Sequence, residues 1–229
     1  MSTRTLVFDD PAEPAAELIG AAVSAGGNIA LAGGNTPREA YQRVASMDLD
    51  WSRCVVWFGD ERCVGPDDQR SNFGMVRTAL LDRVDGSVEV RRIQGELGPD
   101  LAAEAYERDL DAAFADRSAR FDLILLGLGP DGHCASLFPG KAELSERDRL
   151  VVGVAQPGLE PWVARVTLTL PAINAATDVA FLVRGEEKAA AVARAVGGAA
   201  DPTTPASLVA PKRGSLTYLL DSAAASRLD

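Results

Sequence analysis

The chain has 229 residues, of which 47% are apolar and 24% are charged. This length and composition predict a single α/β domain over residues 1–229 with a substantial buried core. The formal net charge of −10 argues against nucleic acid or an anionic membrane surface as a partner. No apolar stretch approaches the ~20 residues that cross a bilayer. An anionic substrate would therefore need locally concentrated arginine and lysine.

The three cysteines, Cys54, Cys63 and Cys134, are an odd number without a CxxC pair. They indicate neither a disulfide framework nor a zinc site. Cys134 has no second histidine that could act as its base, so we do not expect a thiol nucleophile. The first ten residues lack the apolar core of a signal peptide. We expect a reduced, soluble, cytoplasmic protein with no obligate protein partner.

Helix-like and strand-like segments alternate along the first half of the chain. Asp10 is placed to cap an alanine-rich helix, with Pro11 in its first turn. The run Val55–Phe58 is apolar on both faces, as a central parallel strand requires. The predicted elements are helix 11–25, strand 28–32, helix 37–47, strand 53–58, helix 71–81 opened by Ser71 and Asn72, strand 88–93 and helix 100–115.

The second half continues the alternation. Its predicted elements are strands 121–126, 150–154 and 165–170, a short helix from residue 171, strand 178–183, helix 186–196, loop 197–205, strand 215–220 and a helical tail over 222–228. Repeated strand–helix alternation predicts a doubly wound, mostly parallel sheet.

The only histidine in the chain, His133, follows an apolar strand and a glycine-rich turn that contains Asp131. Ligands of open α/β sheets bind at the carboxyl ends of strands, and histidine can take up a proton near neutral pH. The position therefore predicts that His133 is a general base. The alternative is a structural histidine, which the adjacent carboxylate and three glycines disfavour.

A second candidate turn holds Gly33, Gly34, Asn35 and Thr36, between a predicted strand and Pro37. Glycines allow backbone N–H groups to approach a ligand, and a helix N-terminus favours a phosphate. The alternative is an ordinary strand–helix turn in which Thr36 is the N-cap.

Charged residues mark three further positions. Asp60, Glu61 and Arg62 follow a buried strand, where core packing does not require them; the alternative is a solvated charge cluster. Lys188 lies in the first turn of a predicted helix, where it opposes the helix dipole and indicates a nearby anion. Arg165 precedes a strand. Surface charge is the alternative for both cations.

Together these segments resemble the 6-phosphogluconolactonase family, which shares its fold with glucosamine-6-phosphate deaminases. The resemblance rests on the order and spacing of residues 33–37, 59–62 with 71–72, 127–140, 165–174 and, more weakly, 205–207. It implies a Rossmann-like, doubly wound, mostly parallel sheet with helices on both faces, without a nucleotide, other cofactor or metal. The implied reaction is hydrolysis of 6-phospho-D-glucono-1,5-lactone to 6-phosphogluconate in the oxidative pentose phosphate pathway.

The resemblance also implies roles for the candidate residues. His133 would activate water, either Asp131 or Asp60 would orient the imidazole, and Arg62 would stabilise the oxyanion or hold the substrate. The groups expected to hold the phosphate are the turn of Gly33, Gly34, Asn35 and Thr36 and the cations Arg165 and Lys188.

The sequence leaves two alternative functions to consider, a deaminase and a non-catalytic sensor. The related deaminases typically carry glutamate five residues beyond the histidine, where this chain has Phe138, and Asp-Glu-Tyr where it has Asp-Glu-Arg. A non-catalytic sugar-phosphate sensor would need a DNA-binding module, and the sequence has no spare helix-turn-helix segment or basic face.

Overall fold

The computed structural model describes residues 2–84, 88–114 and 121–228. Its strands are β1 (Ser2–Phe8), β2 (Asn28–Leu31), β3 (Val55–Phe58), β4 (Asp60–Arg62), β5 (Glu89–Val90), β6 (Leu123–Leu126), β7 (Val151–Val154), β8 (Arg165–Leu168), β9 (Asp178–Val183) and β10 (Ser215–Asp221). Its α-helices are α1 (Ala12–Ala25), α2 (Asn35–Val44), α3 (Asn72–Ala79), α4 (Pro99–Ala113), α5 (Leu170–Ala175) and α6 (Ala189–Gly197). Within the described residues, none of these helices is long and apolar enough to span a membrane.

Seven strands form a parallel sheet in the order β1-β10-β9-β6-β2-β3-β5. From β2 the chain moves outward through β3 to β5, whereas from β6 it moves the other way through β9 to β10. The direction of winding therefore changes between β2 and β6. A crevice opens at the carboxyl ends of strands at such a switch point. The predicted doubly wound, mostly parallel sheet is confirmed.

A second sheet was not predicted. Strands β4, β8 and β7 pair antiparallel beside the main sheet. The predicted strands near 150–154 and 165–170 exist, but they belong to this smaller sheet. The three-residue strand β4 was missed because its residues are all charged. It pairs with β8, which lies about a hundred residues later in the chain, and only the folded chain brings the two together.

The core packs on both faces of the central sheet. All four residues of β6 are buried, which requires apolar contacts on both sides of the strand.

Two buried tyrosines fix the ends of neighbouring strands. The Tyr41 hydroxyl donates to Ala32 O and accepts from Ala32 N, and the Tyr106 hydroxyl makes the same pair of contacts with Phe58. These contacts satisfy backbone groups where the chain leaves β2 and β3.

Several predicted boundaries are wrong. Strand β1 was missed because it is an edge strand with a mostly exposed, polar sequence. The residues after Asp221 form turns rather than a helical tail. Helix α1 begins at Ala12, one residue later than predicted, although Asp10 Oδ1 does accept from Ala12 N at 3.0 Å. The predicted end of the fourth long helix, at Ala115, lies outside the described residues.

Candidate active site

A cavity of about 280 Å³ lies at the carboxyl ends of β2, β3, β6 and β9. Nine of the ten predicted site residues line it: Gly33, Gly34, Asn35, Thr36, Asp60, Arg62, His133, Arg165 and Lys188. The tenth, Asp131, contacts the side chain of His133. The fold thus brings together residues from five separate segments of the sequence.

His133 and Asp131 form a close pair on the turn after β6. Gly132 has a φ of +93°, which suits glycine, and Gly129 N donates to His133 O at 2.8 Å, which closes the turn. His133 Nδ1 lies 2.5 Å from Asp131 Oδ1. A proton shared with this carboxylate sits on Nδ1 and leaves Nε2 as a proton acceptor. The imidazole is 16% exposed.

The electrostatics of Asp131 fit this pairing. Partial burial raises the pKa of its carboxyl group, but the hydrogen bonds and the electrostatic interaction with His133 lower it by more, so the net pKa is below its usual value. Asp131 is therefore a carboxylate beside the imidazole.

Asp60 makes different contacts. Its Oδ2 accepts from Ser136 Oγ at 2.6 Å, and its Oδ1 accepts from Asn72 Nδ2 at 3.1 Å. The residue is 6% exposed and faces the cavity. Of the two acids predicted to orient His133, Asp131 makes the contact. Asp60 is instead held by neutral donors, an arrangement in which it can accept a hydrogen bond from a sugar hydroxyl.

Asn72 connects Asp60 to the glycine turn. Its Nδ2 also donates to Asp60 O at 2.9 Å, and since both partners are acceptors, the amide nitrogen must face Asp60. Its Oδ1 then faces Gly33, where a Cβ would lie only 1.8 Å away. Gly33 is therefore required to leave room for the Asn72 amide, in addition to its place in the turn.

The glycine turn leads directly into α2. The helix begins at Asn35, two residues before the predicted start, and Gly34 occupies the N-cap position with a φ of +104°. The alternative in which Thr36 is the N-cap is wrong, since Thr36 lies inside the first turn. The first N–H groups of a helix have no partner within the helix, and here they adjoin the cavity. This arrangement suits an anion.

Arg62 and Arg165 lie opposite each other in the antiparallel pairing of β4 with β8. Arg165 is 3% exposed, and its Nη2 donates to Leu159 O at 2.9 Å and to Pro161 O at 3.3 Å. Burial lowers the pKa of Arg165, and the neighbouring charge of Arg62 lowers it further, whereas Asp60 and Asp131 raise it. Opposed like charges destabilise a strand pair, so this geometry favours a bound anion.

Lys188 approaches the cavity from the turn after β9. The predicted helix 186–196 is divided here into a 3₁₀ turn, Glu186–Lys188, followed by α6. Burial lowers the pKa of Lys188, while the charges of Glu187 and Asp131 act in the opposite direction. Within the described ranges, none of Lys188, Arg62 and Arg165 forms an ion pair with a carboxylate at 4.0 Å or less, whereas Arg184, which also lines the cavity, pairs with Glu39.

Glu61 corrects one sequence inference. Folding does require this charged residue, because its buried carboxylate accepts from Asn72 N at 2.7 Å, Phe73 N at 2.8 Å and Ser71 Oγ at 3.0 Å. These contacts hold the start of α3, where Ser71 Oγ also accepts from Gly74 N as predicted for a cap. Glu61 is therefore structural, whereas its neighbours Asp60 and Arg62 face the cavity.

The thiol of Cys134 is fully buried, and burial raises its pKa to about 12. A thiol in this state is a poor nucleophile near neutral pH.

Among the residues that sequence reasoning did not assign to the site are Asn72, Ser136, Leu159 and Arg184. Asn72 and Ser136 lie in the segments that carried the family resemblance, so a signal existed for both. Leu159 and Arg184 lie in loop sequence without a distinctive pattern, and only the folded chain places them at the cavity.

Known proteins are similar to this chain over most of its length. Residues 4–218 match the family described as glucosamine-6-phosphate isomerases/6-phosphogluconolactonase. A 6-phosphogluconolactonase of Mycobacterium tuberculosis is 42% identical over 222 residues, which cover 92% of this chain and 89% of the relative. One of Nostoc sp. is 40% identical over 205 residues, which cover 87% and 84%.

A solved structure is also similar to this chain. The crystal structure of 6-phosphogluconolactonase from Thermotoga maritima is 31% identical and superposes with a TM-score of 0.84, covering 96% of this chain and all of that one. The match in sequence and in fold extends over nearly the whole chain. The chain belongs to the family of glucosamine-6-phosphate isomerases and 6-phosphogluconolactonases.

Proposed function

We propose that this protein hydrolyses 6-phospho-D-glucono-1,5-lactone to 6-phospho-D-gluconate, with His133 as the general base. The observation that carries the proposal is the His133–Asp131 pair, since His133 shares one cavity with a helix N-terminus and the cations Arg62, Arg165 and Lys188. The relatives named 6-phosphogluconolactonase support the same reaction. The route is the oxidative pentose phosphate pathway.

His133 Nε2 removes a proton from water, and the water oxygen forms a bond to the lactone carbonyl carbon. The carbonyl oxygen becomes an oxyanion, which the Arg62 guanidinium stabilises. When the intermediate collapses, the bond from this carbon to the ring oxygen breaks, and the imidazolium returns its proton to that oxygen. Asp131 stabilises the imidazolium in between and keeps the tautomer that presents Nε2.

The substrate phosphate, which takes no part in the bond changes, binds in the same cavity. The backbone N–H groups of Gly34 and Asn35 and the Thr36 hydroxyl donate to its oxygens, and Arg165 and Lys188 supply positive charge. Binding energy from the phosphate, which does not itself react, positions the reacting carbonyl. The concentration of cations at one cavity allows a protein of net charge −10 to bind an anion.

The deaminase alternative requires a group that shuttles protons near the histidine. The residue five positions beyond His133 is Phe138, which is fully buried and cannot carry a proton. The proposal therefore favours lactone hydrolysis. Free thiols at all three cysteines suit a reducing compartment, and we place the reaction in the cytoplasm.

The test of the proposal is lactone disappearance at controlled pH, corrected for spontaneous opening. We expect His133→Ala to lower kcat by about 10²- to 10⁴-fold, the usual contribution of a general base, with little change in KM. Turnover near that of the wild type would exclude His133 as the base. Release of ammonia from glucosamine 6-phosphate, without lactone hydrolysis, would establish the deaminase activity instead.

A second variant separates binding from chemistry. Lys188→Ala removes one cation from the phosphate site, so we expect KM to rise by about tenfold or more, while kcat stays within a few-fold of the wild type. Arg165→Ala should also chiefly weaken binding. Titration with 6-phosphogluconate by calorimetry checks the loss directly, and unchanged affinity in the Lys188 variant would contradict the assignment.

A further inference from the structure

Phe138 touches two of the groups assigned above. Its ring centroid lies 4.6 Å from that of the His133 imidazole, with the planes at 40°. The Arg165 Cζ lies 5.1 Å from the same ring centroid. Phe138 has no exposed surface, and a Cβ on Gly158 would lie 2.9 Å from its Cβ and Cδ1. One rigid side chain therefore contacts both the general base and a phosphate-binding cation, with the backbone of Gly158 packed against it.

The electrostatic potential of the Phe138 ring determines what these two contacts can do. An aromatic face carries negative electrostatic potential and attracts cations. Arg165 is charged before substrate binds, whereas in the proposed mechanism His133 gains a positive charge when it takes the proton from water. The ring can therefore orient the guanidinium in the resting enzyme and favour the imidazolium during the reaction. It also packs against one side of the imidazole, whose Nδ1 contacts Asp131.

We propose that Phe138 is a positioning residue that holds the His133 imidazole in its Asp131-bound orientation and the Arg165 guanidinium in its binding orientation. The inference rests on the proposed function for its kinetic part. Its structural part, the orientation of His133, can be measured without substrate.

The first experiment uses Phe138→Leu, which keeps an apolar side chain but removes the ring. The chain has one histidine, so ¹⁵N-labelled histidine gives the two ring nitrogen resonances of His133 alone. We expect the wild type to show the Nδ1–H tautomer and the leucine variant to show a mixture of tautomers. In the lactone assay we expect kcat to fall about tenfold and KM to rise about threefold.

Phe121→Leu is the matched control. Phe121 is also fully buried, and it lies at the amino end of β6 against Trp57 and Phe114. This variant should lose stability through the same substitution, yet keep the wild-type histidine spectrum and the wild-type kcat and KM. A general loss of packing would affect the two variants alike.

The second experiment changes the electrostatics without changing the shape. Site-specific replacement of Phe138 by 3,4,5-trifluorophenylalanine weakens the negative face of the ring and keeps its volume close to that of phenylalanine. We expect KM to rise on the order of two- to fivefold, the size of a cation–π contact, with the tautomer retained. This variant also keeps the proposal testable if the leucine variant does not fold.

Two results would overturn the proposal. One is an unchanged histidine spectrum together with unchanged kinetics in both Phe138 variants. The other is an equal effect of the leucine substitution at positions 138 and 121. If the wild type itself did not hydrolyse the lactone, the proposed function would fail, while the spectroscopic comparison would still decide the orienting role.

Discussion

At the scale of single residues, two carboxylates near the same cavity have different hydrogen-bond partners. Asp131 contacts His133, whereas Asp60 is held by Ser136 and Asn72. From sequence alone either acid could have served the histidine, because both follow buried strands. The difference follows from the turn after β6, whose positive φ at Gly132 lets the side chains two residues apart meet.

Asp131→Asn tests this division. The amide keeps the shape of the carboxylate, but it can donate to Nδ1. The imidazole proton then sits on Nε2, which can no longer accept a proton from water. We expect kcat to fall by about 10²-fold or more with little change in KM. Lactone assays at saturating substrate check this, and a kcat within twofold of the wild type would contradict it.

The same residue predicts a pH dependence of stability. The folded pKa of Asp131 is lowered from 3.8, so its contribution is complete above that value and is lost as the pH falls through the lowered pKa. Acid unfolding monitored by circular dichroism should therefore show a smaller loss of stability below about pH 4 in Asp131→Asn than in the wild type. Identical pH profiles would contradict the lowered pKa.

At the scale of elements, the turn between β2 and α2 is fitted to the start of α3. Asn72 lies at the first position of α3, and its amide fills the space where a side chain on Gly33 would be. Glu61, in β4, holds the backbone of the same helix start. Three elements thus fix Asp60 and the glycine turn relative to each other.

Gly33→Ala should disrupt this junction. The added Cβ would lie 1.8 Å from Asn72 Oδ1, so the amide must move and its bonds to Asp60 weaken. We expect kcat/KM to fall by about tenfold or more and stability to fall by about 1–3 kcal/mol. Gly197→Ala, where a Cβ meets nothing within 4 Å, is the control; because Gly197 ends α6, it should leave kcat/KM unchanged and raise stability by about 0.4–1 kcal/mol. Equal effects in both variants would contradict the role of Gly33.

At the scale of the whole molecule, the two sheets share the site. The parallel sheet supplies the glycine turns and His133 at its carboxyl edge, and the small antiparallel sheet supplies Arg62 and Arg165. The apolar core packs mainly on the two faces of the parallel sheet rather than at this edge. Stability and chemistry should therefore be separable by mutation.

Ile124→Ala tests that separation. Ile124 is fully buried in β6 and does not line the cavity. We expect its truncation to cost about 2–5 kcal/mol of unfolding free energy, measured by urea denaturation, with kcat of the folded enzyme within about twofold of the wild type. His133→Ala should show the reverse, a lost kcat with little loss of stability. A large loss of kcat in the Ile124 variant would contradict the separation.

The sequence by itself determined the parallel sheet, most of the helices and nine of the residues that line one cavity. Apolar runs and glycine turns are local signals, and the carboxyl ends of parallel strands must meet at one edge. Only the tertiary structure decided that Asp131 contacts His133 and that Glu61 holds the start of α3. It also decided that β4 pairs with β8, which sets Arg62 beside Arg165. Each of these depends on contacts between distant segments or on the path of one turn, which residue type and periodicity do not specify.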